Sequence, residues 1–334
     1  MIEWQRSHWF RGLLVLVAVA LMIAIATIFN QAVMLVPEVG AVSTGLLFFR
    51  ISAWRKGPLP FYLLICGAAF LGVEVARYLP IGLTAQIIVT LSSILAAVLF
   101  FRVPAYPALS AGLLPVYLHL TSPLYVVAVV CFMGLPTLYV LVVERSGLGP
   151  GPKVVVTLRT TVIIACSLGL MILALWLARS PLAVLPPLFV ASVENANTSE
   201  PRSIRRLSLT ALVLLASIEL SILLYLNLNV DLVVVITVLI ALLVVSKLNL
   251  ESPPILALAI IPIVFDHPTD LRVSYLIVIG IVLSQIAPVT VAWVIDHSPL
   301  LARIMRRPEG LRSTTTSNSR LRPCSDPRVD GTLL

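Results

Sequence analysis

The sequence predicts an all-α polytopic membrane protein, with about twelve apolar helical segments in two parallel six-helix repeats, some segments short and proline-broken. Three observations carry that prediction. Only 11% of the 334 residues are charged while 59% are hydrophobic, against roughly 25% charged residues in an ordinary soluble domain, and the mean hydropathy is +1.06. The apolar runs are separated by short turns, and backbone inside hydrocarbon must bond to itself, which a helix does within one segment. Landmarks of the first half also recur in the second, in the same order.

Taken in order, residues 12–29 are uncharged and of span length. They are too long for the apolar part of a cleaved leader and no small-x-small site follows, so they read as the first transmembrane helix. Further segments fall near 32–49, 60–79, 82–101, 106–118 and 123–143, then near 157–178, 181–193, 208–226, 230–248, 253–265 and 273–295. Segments 106–118, 181–193 and 253–265 would each rise only about 20 Å as helix, against a hydrocarbon core of about 30 Å. They read as broken, tilted or re-entrant.

The repeat is visible in "YPALSAGLLP" and "PPILALAIIP", where Pro107 and Pro115 match Pro254 and Pro262. Leu21-Met22-Ile23 matches Leu170-Met171-Ile172, Pro37 matches Pro187, Glu74 matches Glu219, Pro136 matches Pro288 and Glu144 matches Asp296. All offsets fall between 145 and 152 residues. The chain therefore divides into a cytoplasmic N-terminus (1–10), a first membrane repeat (11–144), a linker (145–158) containing "SGLGPGPK", a second repeat (159–296) and a basic tail (297–334). An even number of spans per copy relates the copies by an axis along the membrane normal.

Loop charges orient the chain. With the N-terminus inside, the inner loops hold Arg50, Arg55, Lys56, Arg102, Arg145, Lys153, Arg202, Arg205, Arg206 and Lys247, and the outer loops only Arg77, Arg179 and Arg272. The positive-inside rule then places both termini in the cytoplasm of a cell-membrane protein. The net charge of +8 is accounted for by these loops and the tail, which suits anionic lipid rather than nucleic acid. Cys66, Cys131, Cys166 and Cys324 are far apart and form no CxxC pair, so neither a disulfide framework nor a metal site is expected. No HExxH, Walker A or GxSxG pattern is present, so no enzyme activity and no cofactor is expected.

Ionisable residues inside spans are costly and normally face protein or water. Glu74 in "LGVEVARYL" and Glu219 in "LASIELSIL" are the matched pair, candidates to titrate a proton or coordinate a substrate. Glu74 alternatively pairs with Arg77 one turn on, whereas Glu219 has no basic residue within a turn. Proline-interrupted segments expose backbone that line cavities use, which nominates Pro107 and Pro254. Ser43, Ser110 and Ser192 would add hydroxyls to such a site. Glu38 is a weaker candidate, because its matched position is Leu188.

The order of elements in each copy resembles the HPP family of small integral membrane proteins. It runs from an apolar helix to a Pro then Gly/Ala/Ser-rich stretch ("VPEVGAVSTGLLFF"; "PPLFVASV"), a Pro-Arg loop ("SEPRSIRR") in the second copy, two helices, and a Pro-led short segment. The His-Pro-Pro motif of that family reads Ser252-Pro253-Pro254 here and Ala105-Tyr106-Pro107 in the first copy. This resemblance implies a nitrite-like anion as substrate class. The six-helix halves are also similar to the fusaric-acid-resistance and aromatic-acid-exporter superfamily, without its cytosolic domains. Both imply a transporter or channel for a small inorganic or organic anion; the matched Glu74 and Glu219 suggest that it is proton-coupled, and a homo-oligomer is compatible with it. The competing readings are a non-transporting scaffold or complex subunit that docks a partner with its basic tail, and an intramembrane enzyme with an unrecognised site. Water should reach the short segments of a transporter, while a scaffold should bury them in dry packing.

Overall fold

In the computed structural model, residues 2–144, 157–180, 183–197, 204–225, 228–264 and 271–298 are described. Most of the expected linker and tail, the 266–270 loop, Arg202 and Cys324 lie outside them. Every regular element among the described residues is helical. The chain forms a large body, Met1–Val294, and a C-terminal unit, Ile295–Leu334, whose described part is the last turn of a helix and Ser298.

Among the described residues, eight helices are long and apolar enough to cross a membrane. They are α1 (Ile2–Ile28), α4 (Pro58–Tyr78), α5 (Leu83–Phe101), α7 (Leu124–Val142), α8 (Leu158–Ala178), α10 (Ile204–Tyr225), α11 (Val230–Leu248) and α13 (Leu271–His297). Between them lie four short helices, α2 (Glu38–Ser43), α6 (Pro107–Tyr117), α9 (Pro186–Ala196) and α12 (Pro254–Val264), and a single turn, α3 (Ser52–Arg55), whose Trp54 is buried. The helix α1 begins at Ile2, so residues expected to precede the first span continue it. It ends where Asn30 turns left-handed, with φ 49°, a conformation asparagine tolerates.

The 32–49 stretch is not one span. It opens with a 3₁₀ turn (Ala32–Met34), runs as α2 from Pro37, and widens into a π-helical turn at Thr44–Phe48. Gly45 makes that turn possible, because a Cβ there would overlap the Trp54 ring, which itself stacks on Phe61 at 4.8 Å.

The short helices form the centre. Helix α2 packs on α6, α6 on α9, α9 on α12 and α12 on α2, closing a ring. Around it, α6 leans on α4 and α5, α12 on α10 and α11, α2 on α1 and α7, and α9 on α8. Residues 34–48, 107–117, 183–193 and 252–261 are buried throughout. The tightest crossing is α4 on α6. A Cβ on Gly72 would overlap the Gly112 carbonyl oxygen, and one on Gly112 would sit 2.8 Å from the Ala68 oxygen. Small residues let the two backbones touch, and dispersion does the rest.

Two of the interior prolines are repaired by side chains. Pro115 cannot donate to the Ala111 carbonyl four residues back, and the Tyr125 hydroxyl donates to it instead at 2.9 Å. Pro288 likewise frees the Ser284 carbonyl, which accepts from Asn195 Nδ2 at 3.3 Å.

Candidate functional site

At the middle of the ring a cavity of about 10 Å³ is lined by Glu38 and Ala41 of α2, Pro107 and Ser110 of α6, Pro187 and Val190 of α9, and Pro254 and Ala257 of α12, with Pro253 just before. That is room for roughly one water. Every lining residue lies in the first turn or two of its helix, or immediately before it. Each helix opens on proline because proline at the first position fits the helical φ and gives up an N–H that would have no partner there. Three eleven-residue helices therefore direct their positive ends at one spot.

The early backbone N–H groups are already used. Ala108 and Leu109 donate to the Ala105 and Tyr106 carbonyls at 3.0 Å, Leu188 donates to Leu185 at 2.9 Å, and Ile255 and Leu256 donate to Ser252 and Pro253 at 3.2 and 3.1 Å. What the cavity offers is therefore the helix field and side chains.

Two side chains supply it. Glu38 is 1% exposed and Ser110 2%, and the Ser110 hydroxyl donates to Glu38 Oε1 at 2.5 Å. Glu38 Oε2 is buried with no hydrogen-bond partner among the described residues. No lysine or arginine lines the cavity. The Tyr125 hydroxyl of α7 is engaged with the Ala111 carbonyl, and Met22 of α1 accepts from the Val36 N–H at 3.2 Å. An acidic side chain in an apolar span costs about 2.5–3.5 kcal/mol on insertion scales, and here one oxygen of that carboxyl is left without a partner.

Of the residues nominated from sequence, Ser110, Pro107 and Pro254 line this cavity. Ser43 and Ser192 are buried in α2 and α9, and neither hydroxyl has a partner among the described residues, but they do not line it. Glu74 is half-buried in α4 and Glu219 is exposed on the outer face of α10. Neither lines the cavity. Glu74 forms no ion pair with Arg77 among the described residues; that guanidinium lies 5.6 Å from the centre of the Tyr78 ring. Glu38 is the residue that pairwise matching ranked low. The signal that could have found it is its place directly after Pro37 at the head of an interrupted segment.

A second charged cluster joins helix ends. Arg55 is ion-paired with Glu144, and Arg50 lies 3.8 Å from the same carboxylate. This brings the start of α4 and the end of α7 to one face. Among the described residues no three His, Cys, Asp or Glu side chains gather as a metal site.

Compared with family models, with curated proteins and with solved structures, the chain matches none.

Proposed function

We propose that this multi-pass membrane protein carries a small anion across the bilayer together with a proton, and that Glu38 is the group that takes the proton. The observation behind this reading is a buried carboxyl, with no cation beside it, where the heads of the short helices meet. A scaffold gains nothing from such a group, since a leucine of similar size would pack without the cost. In a carrier the group has work: protonated, it offers an O–H to an incoming anion beside the Ser110 hydroxyl; ionised, it is itself the anion held in the helix field. The positive helix ends oppose a metal cation at the same place.

Water does not reach the short helices in this conformation, which dry packing would equally produce. The carrier reading therefore assigns the structure to an occluded state and requires a second state that opens the ring. We place the two six-segment copies, 11–144 and 159–296, as the bodies that move. The matching contacts of α6 and α12 with their long helices, and of α6 with α9 and α12 with α2, support a parallel duplication. Placing the Arg50/Arg55/Glu144 face in the cytoplasm follows from the loop charges. Nitrite-like ions are the first to try, on the HPP resemblance alone.

The test is flux in liposomes holding a pH dye. An inward gradient of nitrite, nitrate or formate should acidify the lumen, and Glu38→Gln should abolish that acidification while the protein stays folded. An unchanged pH profile of flux in Glu38→Gln removes Glu38 from the mechanism, and the absence of flux for every anion in a panel removes the carrier.

A further inference from the structure

A much larger hollow lies elsewhere, on the outside of the bundle between α4 and α5. It measures about 670 Å³ and is walled by Leu59, Leu63 and Gly67 on one helix and by Ile94, Ala97 and Phe101 on the other. From Leu59 to Leu71 the α4 wall runs about 18 Å at 1.5 Å per residue. Leu63 and Phe101 are 58% and 62% exposed, so the hollow opens sideways to whatever surrounds the helices. Gly67 is what keeps it deep, since a Cβ there would meet nothing within 4 Å.

One end is different. Arg102 lines the mouth together with Gly57 and Pro104, and Lys56 is exposed one residue before Gly57. Arg102 is the last residue of the α5 cap and holds a left-handed φ of 55°, which ends the helix and leaves the guanidinium at the mouth. Among the described residues neither the Arg102 nor the Lys56 side chain makes a hydrogen bond or ion pair. A long apolar slot with one unneutralised cation in its lining, Arg102, and a second exposed one next in sequence to the lining residue Gly57, is complementary to an amphiphile with an anionic head.

We infer that this groove is a binding site for an anionic phospholipid, with one acyl chain lying between α4 and α5 and the phosphate held by Arg102 and Lys56. Two surface cations near an anionic headgroup, at about 1 kcal/mol each, set a preference over a zwitterionic lipid of roughly thirtyfold. The site is separate from the central cavity, so its test needs no transport.

The experiment is native mass spectrometry of the full chain in detergent, titrated with phosphatidylglycerol and phosphatidylcholine of equal chain length. Wild type should retain one phosphatidylglycerol about thirtyfold more tightly than phosphatidylcholine. Arg102→Gln with Lys56→Gln should equalise the two lipids without abolishing binding. Gly67→Trp should fill the slot and lose both lipids; should that variant fail to fold, Ala97→Leu narrows the slot from the opposite wall. Equal retention of the two lipids by wild type, or undiminished retention after the slot is filled, overturns the inference. A wild-type dimer that Gly67→Trp splits would overturn it too, since the groove would then hold a second copy.

Discussion

The α2–α6 pair and the α9–α12 pair are framed alike and filled differently. Both consist of proline-led helices whose first turns are buried, both present those turns to the same cavity of about 10 Å³, and each is closed against the other. On the first pair that cavity meets Glu38 and Ser110, with the hydroxyl donated to the carboxyl. At the corresponding positions of the second pair stand Leu188 and Ala257, both fully packed. The second pair shows what the frame alone requires, which is apolar volume. The first shows a departure that packing does not ask for, and such departures mark function more often than accident.

That contrast can be broken outright by making the first pair like the second. Glu38→Leu should abolish proton-linked flux and at the same time raise thermal stability, by about 2.5–3.5 kcal/mol if the insertion cost is fully recovered. Thermal unfolding in detergent measures it, and a lowered melting temperature would mean that the carboxyl is structural. The reverse exchange should cost somewhat less than that gain. Leu188→Glu destabilises, and adding Ala257→Ser returns roughly 1 kcal/mol through a new hydrogen bond; a double variant no better than the single would show that the two pairs are not aligned as their sequences suggest.

Smaller effects sharpen the comparison. Ser110→Ala strands a second carboxyl oxygen and should cost about 1–2 kcal/mol, yet cost nothing measurable in a Glu38→Leu background. A cycle of the four proteins gives the coupling directly, and zero coupling would mean the hydroxyl serves something other than Glu38. Smallest is the proline repair. Tyr125→Phe should cost about 1 kcal/mol and lose that penalty when Pro115→Ala restores the helix's own donor to the Ala111 carbonyl. An equal penalty in both backgrounds would assign the Tyr125 hydroxyl another task.

Much of this was legible in the residues. Pro107 and Pro254 head short apolar runs, and a run too short to span hydrocarbon must be covered by protein, so their burial follows from length and chemistry. Ser110 came with them. The glutamates were harder for two separate reasons. Glu74 and Glu219 were selected for recurring in register, but recurrence says nothing of which way a helix face turns, and in a segment apolar all round no stripe distinguishes lipid from protein; Glu219 faces outward. Glu38 was set aside because it does not recur. A residue that stands in only one of two matched stretches escapes any filter that looks for pairs. The break of 32–49 into a 3₁₀ turn, α2 and a π turn was partly visible in Pro37, while the widening at Thr44 depends on the Trp54 ring arriving from a later turn, which no local pattern records.

The contact between Gly72 and Gly112 has a consequence for descent. Each glycine is blocked by the other helix, one by a carbonyl oxygen and the other by the backbone around Ala68, so neither can mutate first and neither can be rescued by changing its partner. The pair is an evolutionary dead lock: sequences may drift at every lipid-facing position around it while these two letters, forty apart, stand still. A saturation library scored for folded protein should be emptiest at these two positions and most permissive at Gly67 and Gly169, whose missing side chains face open space. The two glycines with their spacing, followed by a proline-led segment, then serve as a signature by which distant kin of this chain can be recognised when overall identity has faded.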